Sequence, residues 1–186
     1  MRTRPPILVI TVVALLALTA CDDRSPDQLL QDALRAHREG RIGDALGMYR
    51  EVLAEQPRNE YAWYNLGLIH QTRGQDDVAE TEYRRALEID PAFVQALFNL
   101  GVLLGARGDT DGAIAQYREV IRVQPEHAAA HLNLGFALLE TGDLEAGQAA
   151  LERAVELDPA LASRIPEGTL ASPGPPADDG KAPASP

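Results

Sequence analysis

Residues 59–91, NEYAWYNLGLIHQTRGQDDVAETEYRRALEIDP, contain the pattern that decides the fold. In the first half, Trp63, Leu66 and His70 stand at positions i, i+3 and i+7, the spacing of one face of an amphipathic helix. Gly74 is expected to end this helix, because a residue without a Cβ readily adopts the left-handed conformation just past the last turn. The stretch therefore begins with one short amphipathic helix.

A second helix is predicted in the other half of this stretch. Asp76 and Asp77 suit its first turn, because carboxylates accept hydrogen bonds from free backbone N–H groups and favour the positive end of the helix dipole. Ala79 and Tyr83 would face the first helix, where the small residue allows close approach. Pro91 cannot continue a helix, so the whole stretch is one helix–turn–helix unit.

The same pattern recurs along the chain at a constant interval, the one that separates Pro57 from Pro91. The recurring residues are Pro57, Pro91, Pro125 and Pro159; Gly40, Gly74, Gly108 and Gly142; Leu66, Leu100 and Leu134; Gly67, Gly101 and Gly135; and Tyr49, Tyr83 and Tyr117. A single two-helix unit cannot bury its apolar face alone, so such units are expected to stack. The register predicts four stacked units, which are residues 26–59, 60–93, 94–127 and 128–161.

The unit resembles the tetratricopeptide repeat (TPR). Residues of the second unit fall on the W-x-x-L-G…A…Y/F…A…P pattern of that family, namely Trp63, Leu66, Gly67, Ala79, Tyr83, Ala86 and Pro91. The resemblance implies an all-α TPR solenoid of four helix–turn–helix repeats with a right-handed superhelix. It also implies a concave groove, lined by the first helix of each repeat, that binds a protein or peptide partner.

The first and last repeats depart from the pattern. Asp32 stands where other repeats have Leu, which is typical of a polar outer cap. Gly147 and Leu151 replace the usual Ala and Tyr in the last repeat, so looser packing is expected there. Pro166 interrupts the segment that follows, and the last helix is therefore expected to leave apolar surface uncovered. That surface could support a homodimer.

Residues 1–20 resemble a bacterial lipoprotein signal peptide. Two arginines precede the apolar run 7–20, which is shorter than the roughly 20 residues that a membrane-spanning helix needs. The segment LTAC at 18–21 resembles the lipobox, which implies removal of residues 1–20 and attachment of a lipid to Cys21. The alternative is an unmodified thiol in an ordinary signal peptide or anchor.

The two flanks of the repeats have different expected roles. Residues 21–25 would form a short tether that holds the repeats close to the membrane. The predicted location is the periplasmic side of the inner membrane, favoured over the outer membrane because Asp22 resembles an inner-membrane retention signal. Residues 162–186 are rich in Pro, Ala, Ser and Gly, a composition that predicts a disordered tail.

The groove is the predicted binding site. Each repeat carries one side-chain amide there, and an amide offers the donor and acceptor that match one peptide group of an extended ligand. This arrangement resembles the asparagine ladders of peptide-binding TPR proteins, although Asn at that position is also common in TPR sequences generally. The candidate partner-binding residues are Tyr61, Tyr64, Asn65, Leu68, Phe98, Asn99, Val102, Asn133 and Phe136.

Other functions find less support in the sequence. Residues 26–159 contain no Ser, Cys or Lys, so we expect no catalytic residue, and we also expect no cofactor. His127 and His131 make at most half of a metal site, so no metal is expected. The net charge of -11, with Lys181 as the sole lysine, argues against nucleic-acid binding.

The predicted function is therefore that of a membrane-anchored scaffold for the assembly of a cell-envelope complex. A structural lipoprotein that self-associates through its last helix remains an alternative. An enzyme is a weaker one.

Overall fold

The computed structural model describes residues 24–170, and within that range it is all helical. Four helix pairs follow one another along the chain: α1 Pro26–Arg38 with α2 Ile42–Glu55, α3 Glu60–Thr72 with α4 Asp76–Ile89, α5 Val94–Ala106 with α6 Thr110–Val123, and α7 Ala128–Glu140 with α8 Leu144–Leu157. Both the first and the second helices of the pairs start at one constant interval, in the register that the sequence predicts. The fold is the predicted all-α solenoid.

Glycine ends the first helix of every pair. Gly40, Gly74, Gly108 and Gly142 have φ between 69° and 89°, a left-handed conformation that L side chains rarely adopt. The start of α4 differs in detail from the prediction, because no side chain caps it and Asp76 with Asp77 merely lie in its first turn. The sharp turn within each repeat is therefore set by the glycine.

Each repeat is held together where the first helix crosses the second. A Cβ built on Gly67 would lie 2.6 Å from Cε1 of Tyr83, and one on Gly101 would lie 2.7 Å from Cε1 of Tyr117. The Tyr83 ring is fully buried against the backbone of α3. The glycine and the tyrosine that recur from repeat to repeat are thus one packing unit.

The last repeat is packed as closely as the others, and the expectation of looser packing there is wrong. A Cβ on Gly135 would lie 2.6 Å from Cγ of Leu151 and 2.9 Å from the carbonyl oxygen of Gly147. Two facing glycines let the backbones of α7 and α8 approach each other, so Leu151 fills the remaining space and is fully buried. Leu151 is smaller than the tyrosine of the other repeats, and the close approach of α7 and α8 at Gly135 and Gly147 compensates for this difference.

The C-terminal end of the solenoid is covered, which corrects two predictions. A 3₁₀ helix, Pro159–Arg164, follows α8, and Ile165 behind it is buried against Leu132, Leu151 and Ala154. The prediction of a disordered tail was wrong for residues 162–170. The prediction of an uncovered last helix was also wrong, because this segment lies over it.

The N-terminal end carries the polar residue expected of a cap. Asp32 forms an ion pair with Arg24 at 2.8 Å, and this hydrogen bond lowers the pKa of the Asp32 carboxyl. The predicted signal peptide, Cys21 and residues 171–186 lie outside the described residues. In the part of the chain that is described, no helix is both long and apolar enough to cross a bilayer.

Candidate functional site

The candidate site is the surface formed by the first helices of the last three repeats, α3, α5 and α7, which we call the groove. Tyr61 is its most exposed aromatic residue, with 51% of its surface accessible. Its ring packs edge-on against Phe93, at a centroid distance of 5.2 Å, in the turn before α5. All but one of the other predicted groove residues are partly buried. The partly buried residues are Tyr64, Leu68, Phe98, Asn99, Val102, Asn133 and Phe136.

Asn65 is the exception. Its burial contradicts the prediction that the groove amides form a ladder of equivalent, accessible side chains. Only 8% of its surface is exposed, and its Nδ2 donates a hydrogen bond to the backbone oxygen of Tyr61 at 2.8 Å. A peptide lying in the groove finds almost no accessible surface on this side chain. The amide of Asn65 instead supports the first turn of its own helix.

The boundary between the second and third repeats is built around Tyr64. Its ring lies 5.1 Å from that of Phe93 and 6.0 Å from that of Tyr83, between centroids. Asn99 reaches across the boundary and donates from Nδ2 to the Tyr64 hydroxyl at 3.1 Å. This amide therefore joins two repeats as well as lining the groove.

The boundary between the third and fourth repeats has the same arrangement, formed by different residues. The Phe98 ring lies 6.0 Å from that of Tyr117 and 5.0 Å from that of His127, between centroids. Burial raises the pKa of the Tyr117 hydroxyl and interaction with the Asn133 side chain opposes that rise, as Asn99 does at Tyr83 one repeat earlier. His127 also accepts a hydrogen bond from the backbone N–H of Ala130, so it caps α7.

A cavity of about 240 Å³ opens at this second boundary. Three of the predicted groove residues, Val102, Asn133 and Phe136, meet in its wall, so the structure brings together side chains from two repeats. Helix α6 closes one side. The full lining consists of Val102, Gly105, Ala106, Thr110, Ala113, Tyr117, Asn133, Phe136, Ala137 and Glu140.

The cavity walls formed by α6 and by the ends of α5 and α7 do not follow from the sequence pattern. Tyr117 carried a signal, because tyrosine recurs there in the repeat register, but the repeat pattern presents it as a core residue only. Ala106 and Glu140 occupy the same position in successive repeats, at the ends of α5 and α7, but the residue type there does not recur. Their place in the cavity depends on the angle at which successive repeats stack.

The tyrosine hydroxyls beneath the groove stay protonated. Burial raises the pKa of Tyr64, Tyr83 and Tyr117 above the ordinary value for a phenol. The Tyr83 hydroxyl donates to Oε1 of Gln71 at 2.6 Å. The groove therefore presents neutral hydrogen-bonding groups beside aromatic surface, and Glu140 is the only ionisable carboxylate in the cavity lining.

The second repeat contains a buried ionisable pair that the repeat pattern does not predict. His70 on α3 and Glu82 on α4 are both buried, with 2.6 Å between Nδ1 and Oε2. Burial raises the pKa of the Glu82 carboxyl, while the hydrogen bond from His70 and the charge of Arg50 oppose that rise. The pair couples the two helices and does not reach the cavity lining.

A metal ion has no obvious place in the described part of the chain. No group of three or more His, Cys, Asp or Glu side chains is arranged to hold one among residues 24–170. His131, considered above as half of a site, hydrogen-bonds through Nε2 to the backbone oxygen of Pro125 at 2.9 Å. The groove presents apolar and amide groups and not a cluster of metal ligands among the described residues.

The fold and the groove together define a helical-repeat solenoid. Two family models of the same repeat class match the chain: "Tetratricopeptide repeat" at residues 98–162, and "Cilia and flagella-associated protein 70 middle TPR-like domain" at residues 29–114. The chain is a tetratricopeptide repeat protein.

Solved structures of the same architecture agree with this family. A crystal structure of MamA has a TM-score of 0.69 and 21% identity, over 77% of this chain and 84% of that one. MamA 41-end from Desulfovibrio magneticus RS-1 has a TM-score of 0.66 and 25% identity, over 72% and 76%. PilF from Pseudomonas aeruginosa has a TM-score of 0.64 and 24% identity, over 72% of this chain and 61% of that one. No curated protein sequence shows significant similarity to the chain.

Proposed function

We propose that the chain is a scaffold that binds a partner protein through an extended segment lying in the groove. The observation that carries this proposal is the cavity at the boundary of the third and fourth repeats. Its aromatic and aliphatic walls can bury an apolar side chain of the partner, while Asn133 at the rim offers an amide to a peptide group. Tetratricopeptide repeat scaffolds are typically not enzymes, and we propose no catalytic activity.

The charge of the lining indicates which segments fit. Glu140 is the only charged residue in the lining, and its carboxylate would repel a second carboxylate brought beside it. An acidic segment is therefore disfavoured. We propose a partner segment that is uncharged where it crosses the cavity.

We further propose that the scaffold is anchored by a lipid on Cys21 after removal of residues 1–20. The support is the LTAC motif at 18–21, which matches the lipobox, and the short spacing from Cys21 to the start of α1 at Pro26. The proposed location is the periplasmic side of the inner membrane. The proposed role is the assembly of a cell-envelope complex.

The groove proposal is tested by filling the cavity. Ala106 is exposed at the end of α5 and lines the cavity, so Ala106→Trp occupies that space without disturbing the buried core. Ala115→Trp is the matched control, because Ala115 is exposed on α6 outside the lining. After formaldehyde crosslinking in intact cells, a partner captured by wild type and Ala115→Trp should be lost with Ala106→Trp. Equal capture by all three would place the partner site elsewhere.

The anchor proposal has a separate test. Cells that express wild type or Cys21→Ala are labelled with palmitate, and the protein is recovered from membrane and soluble fractions. Label on the wild type alone, with Cys21→Ala retained in its longer form, supports a lipoprotein. If neither the wild type nor Cys21→Ala takes up palmitate, Cys21 is an ordinary thiol.

A further inference from the structure

The chain leaves the described structure beside the groove. Leu170, the last described residue, stands one repeat interval after Phe136, and it packs in the same apolar cluster as Phe136. Gln148 holds this segment by donating from Nε2 to the backbone oxygen of Thr169 at 3.2 Å. Since Phe136 also lines the cavity, residues 171–186 start from a point next to the cavity wall.

The composition of the first seven of these residues matches the lining of the cavity. The segment 171–177, ASPGPPA, carries no charge and includes three prolines. Proline-rich segments favour the extended polyproline II conformation, which docks in aromatic-lined grooves with little loss of conformational entropy. The groove offers Tyr64, Phe98 and Phe136, and the only charged group in the cavity is Glu140. An uncharged, extended, proline-containing segment is the kind of ligand that these groups fit.

Residues 171–186 are also long enough to cross the groove. Lys181 is the eleventh residue after Leu170, and at about 3.1 Å per residue the chain between them reaches about 34 Å. A helix with its side chains is about 10–12 Å across, so this reach is enough to cross α7 and α5 and extend towards α3. The seven residues of 171–177 reach about 22 Å at the same rise, which spans the cavity between α7 and α5.

We propose that residues 171–186 bind in the groove of their own chain, with 171–177 across the cavity and Lys181 near α3. This inference rests on the proposed function, because the tail would occupy the surface assigned there to the partner. A tethered ligand acts at an effective concentration in the millimolar range for a short linker. A partner must therefore displace the tail, and the tail sets a threshold for partner binding.

The single lysine provides the test. An amine-directed nitroxide on the full ¹⁵N-labelled chain marks Lys181 and any free N-terminal amine, and Lys181→Arg treated in the same way reports the N-terminal label alone. If the tail docks, amide signals of Leu68 and Val102 lose at least half of their intensity relative to Lys181→Arg. Those of Arg84 and Arg118, exposed on the second helices, should not.

A tail variant supplies the matched comparison. Pro173→Ser, Pro175→Ser and Pro176→Ser together leave the described fold untouched, because all three positions follow Leu170. The triple variant should reduce the signal loss at Val102 at least twofold. Signal loss confined to residues close to Leu170, in wild type and variant alike, would overturn the proposal.

Two further outcomes separate this inference from its rivals. Contacts between copies are detected in a mixture of two samples: ¹⁵N-labelled chain without nitroxide, and chain that carries nitroxide but no ¹⁵N. Loss of amide signal in that mixture would show that the tail binds a second copy, which would overturn the proposal. Partner capture that is lost with Ala106→Trp, together with no tail contact, would leave the proposed function standing and remove only the tail. If both hold, the triple tail variant should capture the partner severalfold more efficiently than wild type.

Discussion

The side chain of Asn99 on α5 donates a hydrogen bond to the hydroxyl of Tyr64 on α3 at 3.1 Å. These residues are 35 positions apart and belong to successive repeats. The amide that lines the groove is therefore also a connection between repeats. A substitution of Asn99 changes stability as well as binding, and the two effects have to be measured separately.

A double-mutant cycle measures this connection. Asn99→Ala and Tyr64→Phe each remove one partner of a part-buried hydrogen bond, and each should lower the free energy of unfolding in urea by about 1 kcal/mol. The two losses should not add, with a coupling energy of about 0.5–1.5 kcal/mol. Strict additivity would show that the amide and the hydroxyl do not interact in solution.

Two glycines on α5 provide a matched pair. A Cβ at Gly101 would lie 2.7 Å from the Tyr117 ring, so Gly101→Ala should destabilise the protein by about 1–3 kcal/mol through overpacking. A Cβ at Gly105 would meet nothing closer than Ala113 at 3.6 Å, so Gly105→Ala should stabilise by about 0.5–1 kcal/mol through helix propensity. Thermal unfolding of both variants checks the signs. Equal effects would contradict the close approach of α5 and α6.

The repeat pattern determined the fold because it is redundant. Gly67, Leu66 and Tyr83 belong to sets that recur at the same interval, and each set reports the same helix boundaries. The site was less accessible to prediction. The helix positions of Val102, Asn133 and Phe136 predict their place in the groove. The burial of Asn65 does not follow from its position, because Asn99 and Asn133 at the same position are only partly buried.

The C-terminal end shows another limit of the sequence. Pro166 interrupts the segment after α8 and cannot continue a helix, so the sequence predicts that the last helix stays uncovered. Yet Leu161, Ile165 and Leu170 keep the repeat register of His127, His131 and Phe136, and they cover α8 without forming a full helix. The register of apolar residues carried more information than the helix-breaking residue did.

The buried Glu82 should make stability depend on pH. Its folded-state pKa is raised by burial above the ordinary 4.5, so the folded state holds this proton more tightly than the unfolded state does. Its contribution to stability is complete below pH 4.5 and is lost as pH rises through the folded-state value. Glu82→Gln cannot ionise and should therefore gain stability relative to wild type as pH rises from about 4 to about 8.

Urea unfolding at several pH values tests this sign. Glu88→Gln is the control, because Glu88 is an exposed carboxylate on the same helix whose ion pair with Arg85 is worth little. Its difference from wild type should stay within about 0.5 kcal/mol across the range. A Glu82→Gln difference that shrinks as pH rises would show that His70 and Arg50 outweigh burial.

Because the C-terminal end is covered, a substitution of the buried Leu151 should change stability without changing the oligomeric state. Leu151 is fully buried between α7 and α8, so Leu151→Ala should lower the free energy of unfolding by about 2–5 kcal/mol. Leu144, 61% exposed at the start of α8, is the control, and Leu144→Ala should change stability by no more than about 0.5 kcal/mol. Sedimentation should give the same oligomeric state for both variants and wild type, because Leu151 presents no surface to a second copy. A dimer that Leu151→Ala converts to monomer at unchanged stability would restore the last helix as an interface.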